Sequence, residues 1–294
     1  MPRIALSNYE AHYQQVGRGP DVVLIHGFTS NMAMWVFSGI ANSLKDCFRV
    51  TSYDVRGHGV SSAPANGYTT DILADDLAEL QQALDLGPSY IVGHSLGGVI
   101  GMHAAVRHPE RIAGNILSDT YFPGLAELEP NMPQADVWLS LRETFRKVNQ
   151  DIGPSVDFRR LLNIIASLGA EEQASLRETL GPPVARWLSQ LKPLAATTAA
   201  EQVFEGAGLT AEVLRTIRQP VVALYDERTP FEATWQWLGA NIQTFQGDRV
   251  PGAAHLALLE NPEVFTQLVR KHLLSMSGLV EPSPGQSAAA GIRG

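Results

Sequence analysis

Gly93-His94-Ser95-Leu96-Gly97-Gly98 is the stretch of this sequence that decides its fold. It follows a short apolar run, 90–92, and opens a segment with helical spacing that continues through Ala105. A serine at such a strand-to-helix turn is pushed out at the C-terminal edge of a sheet, with its hydroxyl exposed. Glycines two residues to either side leave room for a strained backbone and a close strand–helix crossing. Ser95 is therefore the candidate nucleophile.

A glycine-rich turn of this kind could instead cradle a phosphate. That alternative requires the glycine spacing of a dinucleotide site or the lysine of a P-loop, and neither is present around Ser95. We therefore prefer the nucleophile interpretation.

Apolar runs of strand length alternate with segments of helical periodicity on both sides of this turn. Runs this apolar suit strands that are buried on both faces. The alternation predicts an α/β fold, with a mostly parallel sheet flanked by helices. The strand-like runs are 21–25, 48–53, 90–92, 112–117, 221–225 and 244–250, and the helical segments are 71–86, 95–105 and 262–273.

Residues 121–219 interrupt this alternation with about a hundred residues that carry helix signals alone. We expect a helical lid over one end of the sheet. In the sequence it lies between the two parts of the core, residues 1–120 and 220–274. The final stretch, Ser275 to Gly294, is rich in Ser, Pro, Gly and Ala and is expected to be disordered. The helices expected in the lid are 136–148, 156–168, 171–180 and 212–217.

His255 is the candidate base among the eight histidines. It follows the run 244–250 on a loop of small residues, which can hold an imidazole over the neighbouring strand ends. His94 precedes the serine and is expected to support its turn. His26 ends the run 21–25 and is expected to be structural rather than catalytic.

Two backbone N–H groups are the candidate oxyanion donors. Acyl transfer places negative charge on a carbonyl oxygen, and donors aimed at that point are usually the largest single catalytic term. We expect one donor from Leu96, the residue after the nucleophile, and the other from Phe28, in the turn that follows the run 21–25.

Four segments together resemble the α/β-hydrolase superfamily, closest to its small microbial esterases, enol-lactonases and cofactor-free perhydrolases. The resemblance runs from about Ile4 to Leu274 and is specific for the fold but not for the substrate. It implies an α/β-hydrolase sheet with the helical lid inserted between the sixth and seventh strands. The segments are His26-Gly27-Phe28 with Trp35, Asp54-Val55-Arg56-Gly57-His58-Gly59-Val60-Ser61, Gly93 to Gly98, and His255 with Glu260-Asn261-Pro262. In that family Asp54, Arg56 and His58 would hold a loop beside the site.

The catalytic acid is where this sequence departs from the family. A gap-free register places Thr229 at the position of the usual acid, which favours Asp119, at the end of the preceding strand. A shortened loop would make Asp226 the acid instead, and Glu227 is a third alternative. An aspartate at position 119 could also simply cap the loop that leads into the lid.

The resemblance implies a serine hydrolase that cleaves a carboxylic ester, lactone or thioester through an acyl-serine intermediate, without cofactor or metal. The apolar residues of the lid favour a small hydrophobic substrate, with Trp138 and Phe158 as candidate contacts. A carbon–carbon bond hydrolase or a cofactor-free perhydrolase would use the same triad. A non-catalytic receptor on this scaffold is a further alternative.

The composition excludes several partner classes. The formal net charge of −8 leaves no basic footprint for nucleic acid or for an anionic membrane surface. The single cysteine, Cys47, cannot form an intramolecular disulfide. The first residues lack the apolar region of a signal peptide, and no apolar run approaches the length of about 18 residues that a membrane span needs. We expect a cytoplasmic protein, with its oligomeric state left open.

Overall fold

The frame of the molecule is an eight-stranded sheet with the order β1-β2-β4-β3-β5-β6-β7-β8. The computed structural model describes residues 2–131, 136–147 and 149–281. β1 and β2 join the sheet antiparallel, and all pairs from β4 to β8 are parallel. The strands are β1 (Arg3–Ala5), β2 (Glu10–Val16), β3 (Asp21–Ile25), β4 (Arg49–Tyr53), β5 (Ser89–His94), β6 (Ile112–Ser118), β7 (Val221–Asp226) and β8 (Phe245–Val250).

Helices cover both faces of the sheet. Side chains alternate along β3, so that Val23 and Ile25 belong to one apolar cluster while Val22 and Leu24 belong to the other. The predicted α/β fold, a mostly parallel sheet flanked by helices, is therefore confirmed. The helices are α1 (Ala33–Phe37), α2 (Ile40–Leu44), α3 (Thr70–Ala83), α4 (Leu96–Arg107), α5 (Asp136–Arg146), α6 (Phe158–Ser167), α7 (Ala170–Leu180), α8 (Pro182–Leu191), α9 (Ala199–Gln202), α10 (Ala211–Leu214), α11 (Glu232–Asn241), α12 (Ala257–Glu260) and α13 (Pro262–Ser277).

The register of the parallel strands positions the site. His94 at the end of β5 lies beside Ser118 at the end of β6, and Ser118 lies beside Leu224 near the end of β7. The residues that follow these strands therefore meet at one edge of the sheet. Ligands of open α/β sheets bind at this carboxyl edge.

The elements described between β6 and β7 are all helical, from a 3-10 helix at Pro123–Leu128 to α10. We call residues 121–219 the inserted segment. The sequence does not predict α8, because this helix opens with two prolines, which indicate a connection rather than a helix. Proline is tolerated in the first turn of a helix, where the N–H has no partner in any case.

Both ends of the chain differ from expectation. β1 and β2 were not predicted, because β2 reads as a polar stretch and only part of it is buried. At the other end, α13 continues to Ser277. It ends at Gly278, whose φ of 68° is the left-handed conformation that commonly terminates a helix. Three residues that we assigned to the tail, 275–277, are thus helical, and residues 282–294 lie outside the described part of the chain. Within the described ranges, no helix has both the length and the apolar composition to cross a membrane.

Replacing Gly97 by alanine should destabilise the fold, because the crossing of α4 over β3 has no room for a side chain. A Cβ at this position would lie 2.2 Å from the carbonyl oxygen of Ile25. We expect Gly97→Ala to lower the free energy of unfolding by roughly 1–3 kcal/mol, measured by urea denaturation. Gly87→Ala is the matched control, since the nearest atom to its added Cβ, on Asp21, is 3.6 Å away. Equal losses in both variants would contradict the proposed close crossing.

Candidate active site

Ser95 occupies a strained turn between β5 and α4. Its φ of 51° and ψ of −115° lie outside the regions that a residue with a side chain normally adopts. Its N–H donates to the Ser118 carbonyl at 2.9 Å, which ties the turn to the end of β6. The turn after β3 passes directly against it, since a Cβ on Gly27 would lie 3.2 Å from the Ser95 Cβ. The strand ends thus bring the serine and the His26-Gly27-Phe28 turn together.

The structure also brings His255 and Asp119 together. The Nδ1 of His255 donates to Asp119 Oδ2 at 2.7 Å, and the Asp119 side chain is fully buried. The other carboxylate oxygen of Asp119 accepts from the backbone N–H of Asp226 at 3.2 Å. Because Nδ1 carries the proton of this bond, Nε2 is the imidazole nitrogen left for base chemistry.

The loop that carries His255 is closed by Glu260, a residue to which the sequence analysis gave no role. Its Oε2 accepts from the backbone N–H of Ala254 at 2.8 Å and of Leu256 at 3.1 Å. His94 Nε2 donates to the His255 carbonyl at 2.8 Å. Burial, and then the charge of His255, lowers the pKa of His94 to about 3, so His94 is a neutral donor here. This role has a signal in the local sequence, because Glu260 comes five residues after His255 and ends α12.

Asp226 and Glu227, the alternative acids, make other contacts. Asp226 Oδ2 accepts from the N–H of Ala257 at 3.2 Å, and Glu227 Oε2 accepts from that of Gly252 at 2.7 Å. Among the described residues, Asp119 is the carboxylate that hydrogen-bonds to the His255 imidazole. Asp226 is fully buried, and its Oδ1 has no hydrogen-bond partner among the described residues. Burial, the charge of Asp119 and then that of Glu260 raise the pKa of Asp226 to about 8, so this carboxyl is protonated at neutral pH.

The backbone N–H groups of Phe28 and Leu96 form no hydrogen bond with the described residues. Leu96 opens α4, where the first N–H groups of a helix have no partner within it. Phe28 belongs to the four-residue turn 27–30, which is closed by a bond from the Ser30 N–H to the Gly27 carbonyl at 3.1 Å. Both N–H groups are therefore available to a bound oxygen.

Two neutral histidines support this turn. His26 Nδ1 donates to the Gly27 carbonyl at 2.8 Å, while its Nε2 accepts from the Val55 N–H at 3.0 Å. His58 Nε2 accepts from the Thr29 N–H at 3.2 Å. Burial lowers the pKa of both imidazoles, that of His58 to about 3. Each ring thus accepts a hydrogen bond with one nitrogen and donates with the other, which a doubly protonated ring could not do.

Asp54 and Arg56 fix the loop that carries His58. Asp54 Oδ1 accepts from the Met32 N–H at 2.8 Å, and its Oδ2 lies 2.8 Å from His12 Nδ1. Arg56 forms a buried, two-pronged ion pair with Asp76. These contacts connect the loop after β4 to the segment after β3 through Met32, to β2 through His12, and to α3 through Asp76.

Trp138 and Phe158, the candidate substrate contacts, belong to an aromatic cluster beside the turn. The Phe158 ring lies edge-on to Phe28 at 5.0 Å and is stacked on Phe204 at 5.3 Å. Trp138 contacts Phe158 at 5.5 Å, is 2% exposed, and donates to the Gly153 carbonyl. Phe158 therefore contacts the turn directly through Phe28, whereas Trp138 packs against Phe158.

No group of three or more His, Cys, Asp or Glu side chains in the described part of the chain is arranged to hold a metal ion.

Two proteins with similar sequences are an esterase and a hydrolase. A pimeloyl-[acyl-carrier protein] methyl ester esterase of Nitrosomonas europaea is 27% identical, over 86% of this chain and 96% of its own. A 2-(acetamidomethylene)succinate hydrolase of Mesorhizobium japonicum is 35% identical over 117 residues, which are 40% of this chain and 41% of that protein.

Solved structures give the same fold over nearly the whole chain. A thermophilic esterase from Thermogutta terrifontis superposes with a TM-score of 0.66 and 26% identity, covering 94% of this chain and 99% of that one. Est816, an N-acyl homoserine lactone degrading enzyme, gives a TM-score of 0.68 and 26% identity over 92% and 99%. The sequence profile of the alpha/beta hydrolase fold matches residues 20–262. This chain therefore belongs to the α/β-hydrolase fold family.

Proposed function

We propose that this protein is a serine hydrolase that cleaves a carboxylic ester, lactone or thioester through an acyl-serine intermediate. The observation that carries the proposal is the 2.7 Å bond between His255 Nδ1 and the buried Asp119 carboxylate, at the same sheet edge as Ser95. The similar proteins include a methyl ester esterase and an enzyme that degrades an acyl homoserine lactone, which supports the ester and lactone classes of this range.

The proposed reaction has two halves. His255 Nε2 takes the proton of the Ser95 hydroxyl as its oxygen attacks the substrate carbonyl, and the N–H groups of Phe28 and Leu96 stabilise the resulting oxyanion. The imidazolium then returns the proton to the leaving alcohol or thiol, which leaves an acyl-serine. Water, activated by His255 in the same way, releases the acid. Asp119 keeps the imidazole in the required tautomer and stabilises its charged form.

We further propose that the inserted segment is a lid that selects the acyl group. Phe158 extends the apolar surface at Phe28, with the buried Trp138 packed against it, and this favours a small hydrophobic substrate.

Ser95→Ala is the test of the nucleophile. The variant should lose roughly 10⁴-fold or more in kcat, because only oxyanion stabilisation and binding remain. The measurement is turnover of a short p-nitrophenyl ester, together with labelling by a fluorophosphonate and peptide mapping. Ser7→Ala, between β1 and β2, is the control and should be labelled like the wild type. Labelling of the wild type at a residue other than Ser95 would exclude the proposed nucleophile.

Asp119→Asn and Asp226→Asn together test the acid. Asp119→Asn should lower kcat by roughly 10²–10⁴-fold near neutral pH, because an amide can stabilise the wrong imidazole tautomer. Asp226→Asn should cost far less, since that carboxyl bonds to Ala257 rather than to the imidazole. Both variants are assayed with the same ester after their folding is checked by circular dichroism. The reverse order of losses would make Asp226 the acid.

Asp226 should also make the stability of the protein depend on pH. Its pKa is about 8 in the folded chain and near 3.8 when unfolded. Between these values the unfolded state loses the proton while the native state keeps it, so the free energy of unfolding falls as pH rises through this window. Asp226→Asn should lack this decline, and its advantage over the wild type should grow from about pH 4 to about pH 8 in urea titrations. A constant difference would show that Asp226 titrates normally.

Phe158→Leu should change acyl preference if the inserted segment acts as a lid. Loss of the ring beside Phe28 should alter kcat/KM unequally for short and bulky acyl esters, because a pocket contact discriminates between substrates by transition-state binding. Phe145→Leu is the control, since Phe145 is a phenylalanine of the same inserted segment, is buried, and has no described ring contact with Phe28. A common factor across all substrates in the Phe158 variant would make this role structural only.

A further inference from the structure

The inserted segment is hydrogen-bonded to the turn that carries the Phe28 N–H. Trp187, on α8, donates its indole N–H to the Thr29 carbonyl at 2.6 Å, across 158 positions of sequence. One turn further along α8, Gln190 accepts from the Asn31 side chain at 3.1 Å. Two side chains of one helix therefore contact one short stretch of the core.

Thr29 is an unusual residue for the position that it occupies. It is the third residue of the turn 27–30, and its φ is 63°. Turns with a positive φ at this position normally place glycine there, and a β-branched side chain makes the conformation costly. Thr29 is held on both sides, because its N–H donates to His58 and its carbonyl accepts from Trp187.

The direction of the Phe28 N–H depends on this turn. That N–H shares a planar peptide unit with the Gly27 carbonyl, so the two groups rotate together. The Gly27 carbonyl accepts from the Ser30 N–H and from His26, and the bond from Ser30 requires the turn to keep its shape. Relaxation of Thr29 to a negative φ would reshape the turn and redirect the Phe28 N–H.

We propose that Trp187 is a positioning residue, which holds Thr29 in its strained conformation and so aims the Phe28 N–H at the developing oxyanion. This inference rests on the proposed function and extends it to a residue of the inserted segment. Oxyanion donors act within a narrow distance range, and a displacement of about 1 Å can cost as much as 10²-fold in rate. The seating of α8 on the turn is then part of the assembly of the catalytic site.

Trp187→Phe tests this role, because it keeps an aromatic ring and removes the N–H donor. We expect kcat for a p-nitrophenyl ester to fall by about tenfold with KM within about twofold, since the lost positioning acts on the transition state. The affinity for a trifluoromethyl ketone, which forms a negatively charged tetrahedral adduct with the serine, should fall by the same factor. The affinity for the corresponding alcohol, an uncharged analogue that forms no adduct, should stay unchanged. The pH profile of kcat/KM should keep its shape, because the bond between His255 and Asp119 is untouched.

Trp235→Phe is the matched control. It makes the same change at a partly buried tryptophan on α11, whose buried indole N–H has no partner among the described residues. Its kcat and its affinity for the ketone should stay within about twofold of the wild type, and Gln190→Ala should show a smaller loss than Trp187→Phe. Urea denaturation of all three variants separates lost stability from lost rate.

The outcomes distinguish the positioning role from the proposed function. If Trp187→Phe behaves like Trp235→Phe while the wild type hydrolyses esters, the positioning role is wrong and the proposed function stands. If the variant loses affinity for ketone and alcohol equally, Trp187 acts in general binding or folding, and the inference is again overturned. If the wild type shows neither hydrolysis nor labelling, the proposed function itself fails.

Discussion

The hydrogen bond between the Asp119 carboxylate and His255 is the interaction on which the rest of the site depends. A fully buried carboxylate is costly unless it is paired and hydrogen-bonded, and Asp119 meets this requirement with an imidazole and the N–H of Asp226. A second charge at the next strand end would face the first at short range in a poorly solvated region. Burial, and then the charge of Asp119, raise the pKa of Asp226, so that one of the two neighbouring carboxyls remains neutral.

Parallel strand register explains why these groups meet at all. β5, β6 and β7 end at the same edge, so residues far apart in sequence become neighbours without any long side chain having to reach. The pattern of apolar runs was sufficient to predict this edge, and the Gly93–Gly98 segment was sufficient to predict the turn. Both features are local in sequence, since a buried parallel strand and a strand-to-helix turn are each determined by adjacent residues.

The remaining features could not be derived from sequence, because they depend on contacts between distant segments. Two neighbouring strands on one side of the Ser95 turn, β6 and β7, each have an aspartate at their last residue or directly after it, and the direction of the imidazole depends on how Glu260 closes the loop around His255. The periodicity of the sequence contains no information about that closure. Likewise, no residue near Trp187 in the sequence indicates a partner 158 positions away. The two prolines that open α8 also argue against a helix when the sequence is considered alone.

Under the proposed function, the turn that carries the Phe28 N–H is held from two directions by different means. On the core side, His26 and His58 are buried and have lowered pKa values, so their hydrogen bonds persist across the pH range in which His255 would work. On the other side the contact comes from α8, in the same inserted segment whose Phe158 packs on Phe28. Substrate selection and oxyanion geometry therefore share one structural element. A substrate that shifts α8 would be discriminated through the rate of its reaction as well as through its binding.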